Sequence, residues 1–255
     1  MTARGAIYPD LEGKSVIVTG GAQGIGASIV RGFARQKSKV GFIDIAEGPS
    51  EKLTRELGGD ANFVHHAIAD IRDIPALKAA IQLLTERHGQ ADVLVNNAGH
   101  DERHATETVT PEVFDERIAV NLRHTFFAAQ AVLPGMKIKG GGAIINFSSI
   151  SWMAGMGGMA VYTAAKSAML GLTRSLARDY GPYNIRVNAI APGWVRTERQ
   201  VQKWLTPEGD MKRLQAQCLK RWLEPEDIAR CVLFLASEEA AAATAQHYVV
   251  DLGWV

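Results

Sequence analysis

Residues 14–26 read Lys-Ser-Val-Ile-Val-Thr-Gly-Gly-Ala-Gln-Gly-Ile-Gly. The first six form a short apolar, β-branched run, the pattern of a buried strand. The run breaks after Thr19 into a glycine-rich turn. Beyond it, Ile25, Ile29, Val30, Phe33 and Ala34 recur at helical spacing, which predicts an amphipathic helix over 24–37. Strand, glycine turn and helix in direct succession are the context in which a glycine loop can hold a dinucleotide.

The same alternation continues outward from this stretch. A second apolar strand, 39–45, ends in Asp44, and a helix is predicted over 49–57. A third strand over 61–67 runs into Asp70, followed by a helix over 74–88. A fourth, 92–95, leads into Asn96-Asn97-Ala98-Gly99. Thr110 caps and Pro111 opens a helical region that reaches Lys139, where a glycine triplet stops it. Strand 143–147 leads to Ser148 and Ser149, and a helix covers 159–180. Strand 185–190 closes at Pro192-Gly193. Residues 195–223 are polar and interrupted, with a helix near 211–218; helix 225–237 and strand 247–250 follow.

The strands are continuous apolar runs, so both of their faces are buried. That pattern predicts an α/β fold: one doubly wound Rossmann domain over 1–255, with a seven-stranded parallel sheet and helices on both faces. Ligands of such sheets sit at the carboxyl ends of the strands. The polar residues named above cluster there.

Composition narrows the function classes. The chain has 255 residues, 47% hydrophobic and 22% charged, enough for one sizeable core. A formal net charge of +1 argues against electrostatic capture of nucleic acid or an anionic membrane. Two cysteines, Cys218 and Cys231, argue against a structural zinc site or a disulfide framework and point to reduced thiols in the cytoplasm. No metal site is expected. The N-terminal MTARGAIYPDLEGK lacks the apolar centre of a signal peptide. The long uncharged stretch 140–165 is too rich in glycine and serine for a lipid-exposed helix.

The glycine loop supplies Gly20, Gln23, Gly24, Ile25 and Gly26 as candidate pyrophosphate contacts. Glycines allow close backbone approach, and the helix N-terminus offers unpaired N–H groups and a favourable dipole. The spacing is G-x-x-x-G-x-G rather than G-x-G-x-x-G. Asp44 follows Gly26 by 18 residues, the place of an acid that binds a ribose 2′-hydroxyl, with Ile45 beside it. A carboxylate there repels a 2′-phosphate, and no Arg or Lys lies between Gly20 and Ile29 or directly after Asp44. The expected cofactor is therefore NAD. Asp70 and Ile71 are candidates for the adenine, and Asn97, Ala98 and Gly99 for a ribose.

Tyr162 and Lys166 lie four residues apart, so on a helix they share a face. A tyrosine of reference pKa about 10 is a poor base at neutral pH. A nearby ammonium stabilises the phenolate, and a serine hydroxyl can orient an alcohol against it. The pair alone also suits an amphipathic helix with a buried Tyr and a surface Lys. Asn121 sits mid-helix, where asparagine is unfavourable. It marks either a break with a functional side chain or a helix end.

Thr19-Gly20…Gly24-x-Gly26, Asp70, Asn96-Asn97-Ala98-Gly99, Asn121, Ser149…Tyr162-x-x-x-Lys166 and Pro192-Gly193 occur in that order over nearly the whole chain. Together they resemble the short-chain dehydrogenase/reductase family. The family spacing selects Ser149 over Ser148 and Ser151. The resemblance implies that Tyr162 is the general base, that Lys166 lowers its pKa and binds the nicotinamide ribose, and that Ser149 orients the substrate oxygen. It further implies that Asn121 holds a water in a proton relay. Pro192, Gly193, Val195 and Thr197 would flank the nicotinamide.

A narrower resemblance, to bacterial NAD-dependent D-xylose 1-dehydrogenases and related aldose dehydrogenases, is carried by several segments. They include Tyr8-Pro9-x-Leu11, Asn121-Leu122-Arg123-His124, Ser149-Ile150-Ser151-Trp152, Gln217-Cys218-Leu219-Lys220 and Gly253-Trp254. It implies oxidation of the anomeric hydroxyl of an aldose to the aldonolactone. Ser149, Tyr162, His100, Trp194 and Trp152 are then candidate sugar contacts, with Trp152 as an apolar wall. The loop 153–161 is expected to face the sugar, and 195–223 to form a lid. Arg103-His104 and Arg123-His124 are candidate subunit contacts of a homotetramer. His65, His66 and His88 need no functional account. The alternatives are a family member acting on a polyol, a 3-oxoacyl thioester or a hydroxysteroid, and a non-catalytic dinucleotide-binding protein.

Overall fold

β1 (Ser15–Thr19) lies inside a seven-stranded parallel sheet in the computed structural model, which describes residues 5–255. Met1–Arg4, the start of the N-terminal stretch read above, lie outside the described residues. The other strands are β2 (Lys39–Asp44), β3 (Val64–Ile68), β4 (Val93–Asn96), β5 (Gly142–Phe147), β6 (Ile185–Pro192) and β7 (His247–Val250). Their order is β3-β2-β1-β4-β5-β6-β7. The chain winds from β1 to one edge and then returns to the other side of β1. The reversal between β1 and β4 opens the crevice in which such sheets bind ligands. Thr19 pairs with both Ile43 and Asn96, so the carboxyl ends of three strands meet there.

The helices are α1 (Gly24–Arg35), α2 (Glu47–Glu56), α3 (Ile74–His88), α4 (Pro111–Ile118), α5 (His124–Lys139), α6 (Ala160–Tyr180), α7 (Glu198–Lys203), α8 (Pro207–Ala216) and α9 (Pro225–Ala236). Successive strand side chains point to opposite faces. On β1, Val16 and Val18 join a core containing Phe33 of α1 and Val232 of α9. Ile17 joins the opposite core, with Leu84 of α3 and Val132 of α5. Both faces are thus covered, as the unbroken apolar strands require.

The structure moves several boundaries. β3 begins at Val64 rather than 61, because Gly58 and Gly59 take positive φ and a short 3₁₀ turn fills Gly59–Asn62. α8 begins at Pro207, not 211: the Thr206 hydroxyl accepts from Gly209 N, a cap the Thr-Pro pair advertises. α7, absent from the sequence reading, is capped in the same way by Thr197. Asn121 is neither a helix end nor in a regular helix. It lies in a π turn, Ala119–Arg123, between α4 and α5. No helix among the described residues is long and apolar enough to cross a membrane.

One candidate subunit contact changes: His124 is fully buried within the chain, while Arg123 stays exposed and donates to the Arg72 carbonyl. His65 and His88 are not isolated. They share a hydrogen bond of 2.6 Å across β3 and α3, and His65 also meets Asp60. Burial pushes His88 down to about 4, so the ring is neutral in the native protein.

Candidate active site

The glycine loop is held by the loop after β4. Asn97 Nδ2 donates to the carbonyls of Thr19 and Gly20 at 3.1 and 2.8 Å. The Ala98 N–H donates to Thr19 Oγ1 at 3.2 Å. Gly20 takes φ +66°, and a Cβ there would stand 2.9 Å from Ala98 Cα. A Cβ on Gly26 would collide with the Gly20 carbonyl. Gln23, the N-cap of α1, makes no side-chain cap. The first N–H groups of α1 thus face a loop stripped of side-chain bulk, a cradle that fits a pyrophosphate. Asn97 itself is spent on holding that loop.

At the far end, Asp44 accepts from the Ala22 and Ala46 N–H groups at 2.9 and 3.0 Å. The tertiary structure adds cations that local sequence did not show: Arg31, Lys52 and Arg72 also line this end of the cleft. Arg31 is tied to Glu56 at 2.9 Å. Arg72 is tied to Asp70 at 2.6 Å and to Glu116 at 3.1 Å. Asp70 is therefore neutralised by Arg72, which holds its carboxyl below the usual carboxylate range. Ile45, Ile71 and Gly99 line the same cleft.

α6 brings Tyr162 and Lys166 to the centre. Lys166 Nζ donates to the Phe147 carbonyl at 2.9 Å and lies 5.8 Å from the Tyr162 ring centroid. Ser149 lines the cleft with Tyr162, and its Oγ accepts from the Ser151 N–H at 3.1 Å. Ser148 instead turns inward and donates to the Lys166 carbonyl at 2.7 Å. Burial pushes Tyr162 up to about 12; the nearby Ser149 hydroxyl opposes this and the Asp101 charge adds to it. Burial pushes Lys166 down to about 8. Burial is the largest influence on the Tyr162 phenol, while Lys166 Nζ is held on the Phe147 carbonyl.

Asn121 is fully buried and does not line the cleft. Its Nδ2 donates to the Arg117 carbonyl and its Oδ1 accepts from the His100 N–H, at 3.1 and 3.0 Å. One N–H and the carbonyl of the amide are engaged, and the side chain pins the His100 backbone.

The cleft has a volume of about 1370 Å³, above the range of roughly 300–1,000 Å³ for one small-ligand pocket. Pro192, Gly193, Val195 and Thr197 line one wall, and His100 and Trp194 stand at the mouth. Trp152 is not a wall of this cleft. Its indole donates to Ser148 Oγ at 3.2 Å, its ring stacks on His247, and it borders a separate shallow depression. The 3₁₀ turn after Ser149 rotates it away. Of the loop 153–159, only Met156 and Met159 reach the cleft. Arg103 stacks on Trp204 at 4.5 Å, within the cleft rim.

Asp101, Gln200 and Trp254 are among the wall residues not named as site residues from sequence. Asp101 follows Gly99 by two residues, and its place after a loop at a strand end was a usable signal. Gln200 and Trp254 had none, because their positions depend on how distant segments dock. Asp251 holds the chain end by accepting from the N–H groups of Gly253, Trp254 and Val255.

Comparison with known proteins agrees with this geometry. A family model described as enoyl-(acyl carrier protein) reductase matches residues 20–255. The chain is 49% identical to D-xylose 1-dehydrogenase of Caulobacter vibrioides over 249 residues, covering 98% of each chain. It is 47% identical to the probable galactose dehydrogenase GalD of Rhizobium meliloti, covering 99% of each. It superposes on a 7α-hydroxysteroid dehydrogenase complexed with NADH and 7-oxo glycochenodeoxycholic acid. That match has a TM-score of 0.92 and 32% identity, and covers 96% of both chains. With the sheet order, the glycine cradle and the Ser149–Tyr162–Lys166 cluster all in place, the chain belongs to the short-chain dehydrogenase/reductase family of oxidoreductases.

Proposed function

We propose that this protein oxidises the anomeric hydroxyl of an aldose, such as D-xylose, L-arabinose or D-galactose, to the aldonolactone with NAD. The observation that carries the substrate class is the near-full-length relation to two proteins named for xylose and galactose. Asp44 supports NAD over NADP: its carboxylate lines the cleft, while Arg31 is already paired with Glu56.

The chain's residues divide the work. Gly20, Gln23, Gly24, Ile25 and Gly26 hold the pyrophosphate, and Asp44 with Ile45 the adenosine ribose. Asp70 and Ile71 border the adenine, Asn97, Ala98 and Gly99 the next ribose, and Pro192, Gly193, Val195 and Thr197 the nicotinamide. NAD, when bound, supplies the hydride acceptor. Ser149 hydrogen-bonds the C1 oxygen and aligns it on Tyr162. Tyr162 takes the hydroxyl proton as C1 gives up its hydride, which leaves the lactone carbonyl. Lys166, anchored on Phe147, supplies positive charge beside the phenolate and passes the proton outward. Asn121 fixes the loop at His100 and would hold a water of the proton relay beside it.

The segment 195–223, with α7 and α8 over the cleft, acts as a substrate lid within a single domain of 1–255. Exposed Phe114 and Phe126 on α4 and α5 support a homotetramer assembled through these helices. The free thiols of Cys218 and Cys231 suit the cytoplasm.

NADH absorbance followed over a panel of aldoses, polyols and hydroxysteroids, with NADP in parallel, tests the reading. Turnover of an aldose with NAD is the expected result. Turnover of a steroid or polyol alone would overturn the substrate class, and sedimentation as a monomer would overturn the assembly.

A further inference from the structure

The loop after β4 and the start of α7 meet in a chain of hydrogen bonds beside Tyr162. Trp194 Nε1 donates to Gln200 Oε1 at 2.8 Å. The other end of the same amide, Gln200 Nε2, donates to Asp101 Oδ2 at 2.8 Å. The indole N–H can only donate, so the Gln200 amide has one orientation and presents its NH₂ to the carboxylate. All three residues line the cleft. They come from two segments, and the Gln200–Asp101 contact joins residues 99 apart, so no local requirement of the backbone explains it.

The second oxygen of Asp101 is left over. Oδ1 makes no hydrogen bond among the described residues, and its nearest cation, Arg199 Nε, is 3.9 Å away. The Asp101 side chain is only 19% exposed. A carboxylate that lines the cleft with one oxygen free of hydrogen bonds has acceptor capacity that a bound ligand can meet in place of water. The groups that meet it best are hydroxyl donors carried by a ligand, since hydrogen bonds to an ionised acceptor are the strong ones. Gly99, two residues before Asp101, packs against the catalytic cluster: a Cβ there would stand 3.2 Å from Lys166 Nζ, and Asp101 and Tyr162 line the same cleft. The loop 153–161, which the sequence suggested as the selector, offers Met156 and Met159 to this space. Methionine packs against a ring but cannot count its hydroxyls.

We propose that Asp101, oriented by Gln200 and Trp194, accepts hydrogen bonds from the sugar ring hydroxyls nearest the anomeric carbon and so decides which epimer is oxidised. The inference rests on the aldose reading above. Asp101 is a specificity residue that touches substrate; Gln200 and Trp194 are positioning residues behind it. A site built to bond a hydroxyl rejects the analogue that lacks it far more strongly than an apolar wall does.

The test measures kcat and KM for the best aldose found on the panel, its C2 and C3 epimers, and the matching 2-deoxy and 3-deoxy sugars. Wild-type protein is compared with Asp101→Asn and Asp101→Glu. NADH binding by fluorescence establishes that each variant is folded. For Asp101→Asn, kcat/KM of the best sugar falls about ten- to a hundredfold, mostly through KM. The deoxy sugar that lacks the recognised hydroxyl changes less than about threefold, so the discrimination collapses. Asp101→Glu keeps the charge but displaces it, and the epimer ranking changes. Trp194→Phe loosens Gln200 and gives a smaller loss of the same hydroxyl-dependent form. An equal loss on every sugar, with epimer ratios unchanged, means that Asp101 only latches the lid or shapes the field at Tyr162, and overturns the inference. Unchanged kinetics overturn it too. Wild-type protein that turns over no aldose overturns the functional reading itself, a separate and recognisable failure.

Discussion

The two sides of the cleft are made of different material. The dinucleotide side is mostly backbone: a glycine loop, the N–H groups at the start of α1, and Asn97 lacing β1 to β4. The substrate side is mostly side chain. Asp101, Gln200, Trp194, Met156 and Trp254 arrive from segments far apart in the chain. The first construction tolerates almost no added atom and asks little of side-chain identity. The second is free to vary residue by residue, because no fold-defining contact depends on it. A family can thus keep one hydride-transfer frame and change the alcohol.

Breaking the chemistry shared by both sides has the largest expected effect. Tyr162→Phe removes the base and lowers kcat by about 10²–10⁴-fold, read as NADH formation. NADH binding persists, because the ring and α6 remain. Next is Gly26→Ala on the backbone side. The added Cβ meets the Gly20 carbonyl and the loop must shift. Dinucleotide affinity falls at least about tenfold, with about 1–3 kcal/mol of stability lost to overpacking. Fluorescence titration and thermal melting measure the two parts. No single substitution on the substrate side should affect NADH binding comparably, and one that did would break the contrast.

Asp44→Ala tests the one side chain on which the dinucleotide side relies. Removing the carboxylate should shift the NAD to NADP preference about tenfold toward NADP, roughly 1.4 kcal/mol, read as the ratio of kcat/KM values. The smallest effect concerns pH. The base must be deprotonated, and burial holds Tyr162 well above its ordinary value, so oxidation should accelerate from neutral into alkaline pH. The Asp101 charge adds to that rise. In Asp101→Asn the profile should move to lower pH by less than about one unit, for every sugar alike. A shift to higher pH would mean that the carboxylate does not face Tyr162.

Much of this was legible in the sequence. The strands read as apolar runs because both faces of a parallel sheet are buried, and the glycine turn announced the loop at β1. The Tyr162–Lys166 spacing announced one helix face. Boundaries slipped where turn chemistry intervened, as at Gly58–Gly59 before β3 and at Thr206-Pro207 before α8. Side-chain direction slipped more. Trp152 follows Ser149 by three residues, yet a 3₁₀ turn takes it out of the cleft to stack on His247. Asn121 was legible as special, but not that its side-chain amide would bond Arg117 and His100.

By itself the sequence determined the architecture, and it named the candidate dinucleotide cradle and the candidate proton-handling residues. Each of these depends on spacing within one strand, turn or helix, and backbone periodicity is a local property. Only the tertiary structure decided which side chains face the cleft, that Arg31 and Arg72 reach the Asp44 end already paired, and that burial is the largest influence raising the Tyr162 pKa. It also decided that Asp101, Gln200 and Trp194 meet. Convergence and desolvation are properties of packing between distant segments, and no spacing along the chain encodes them.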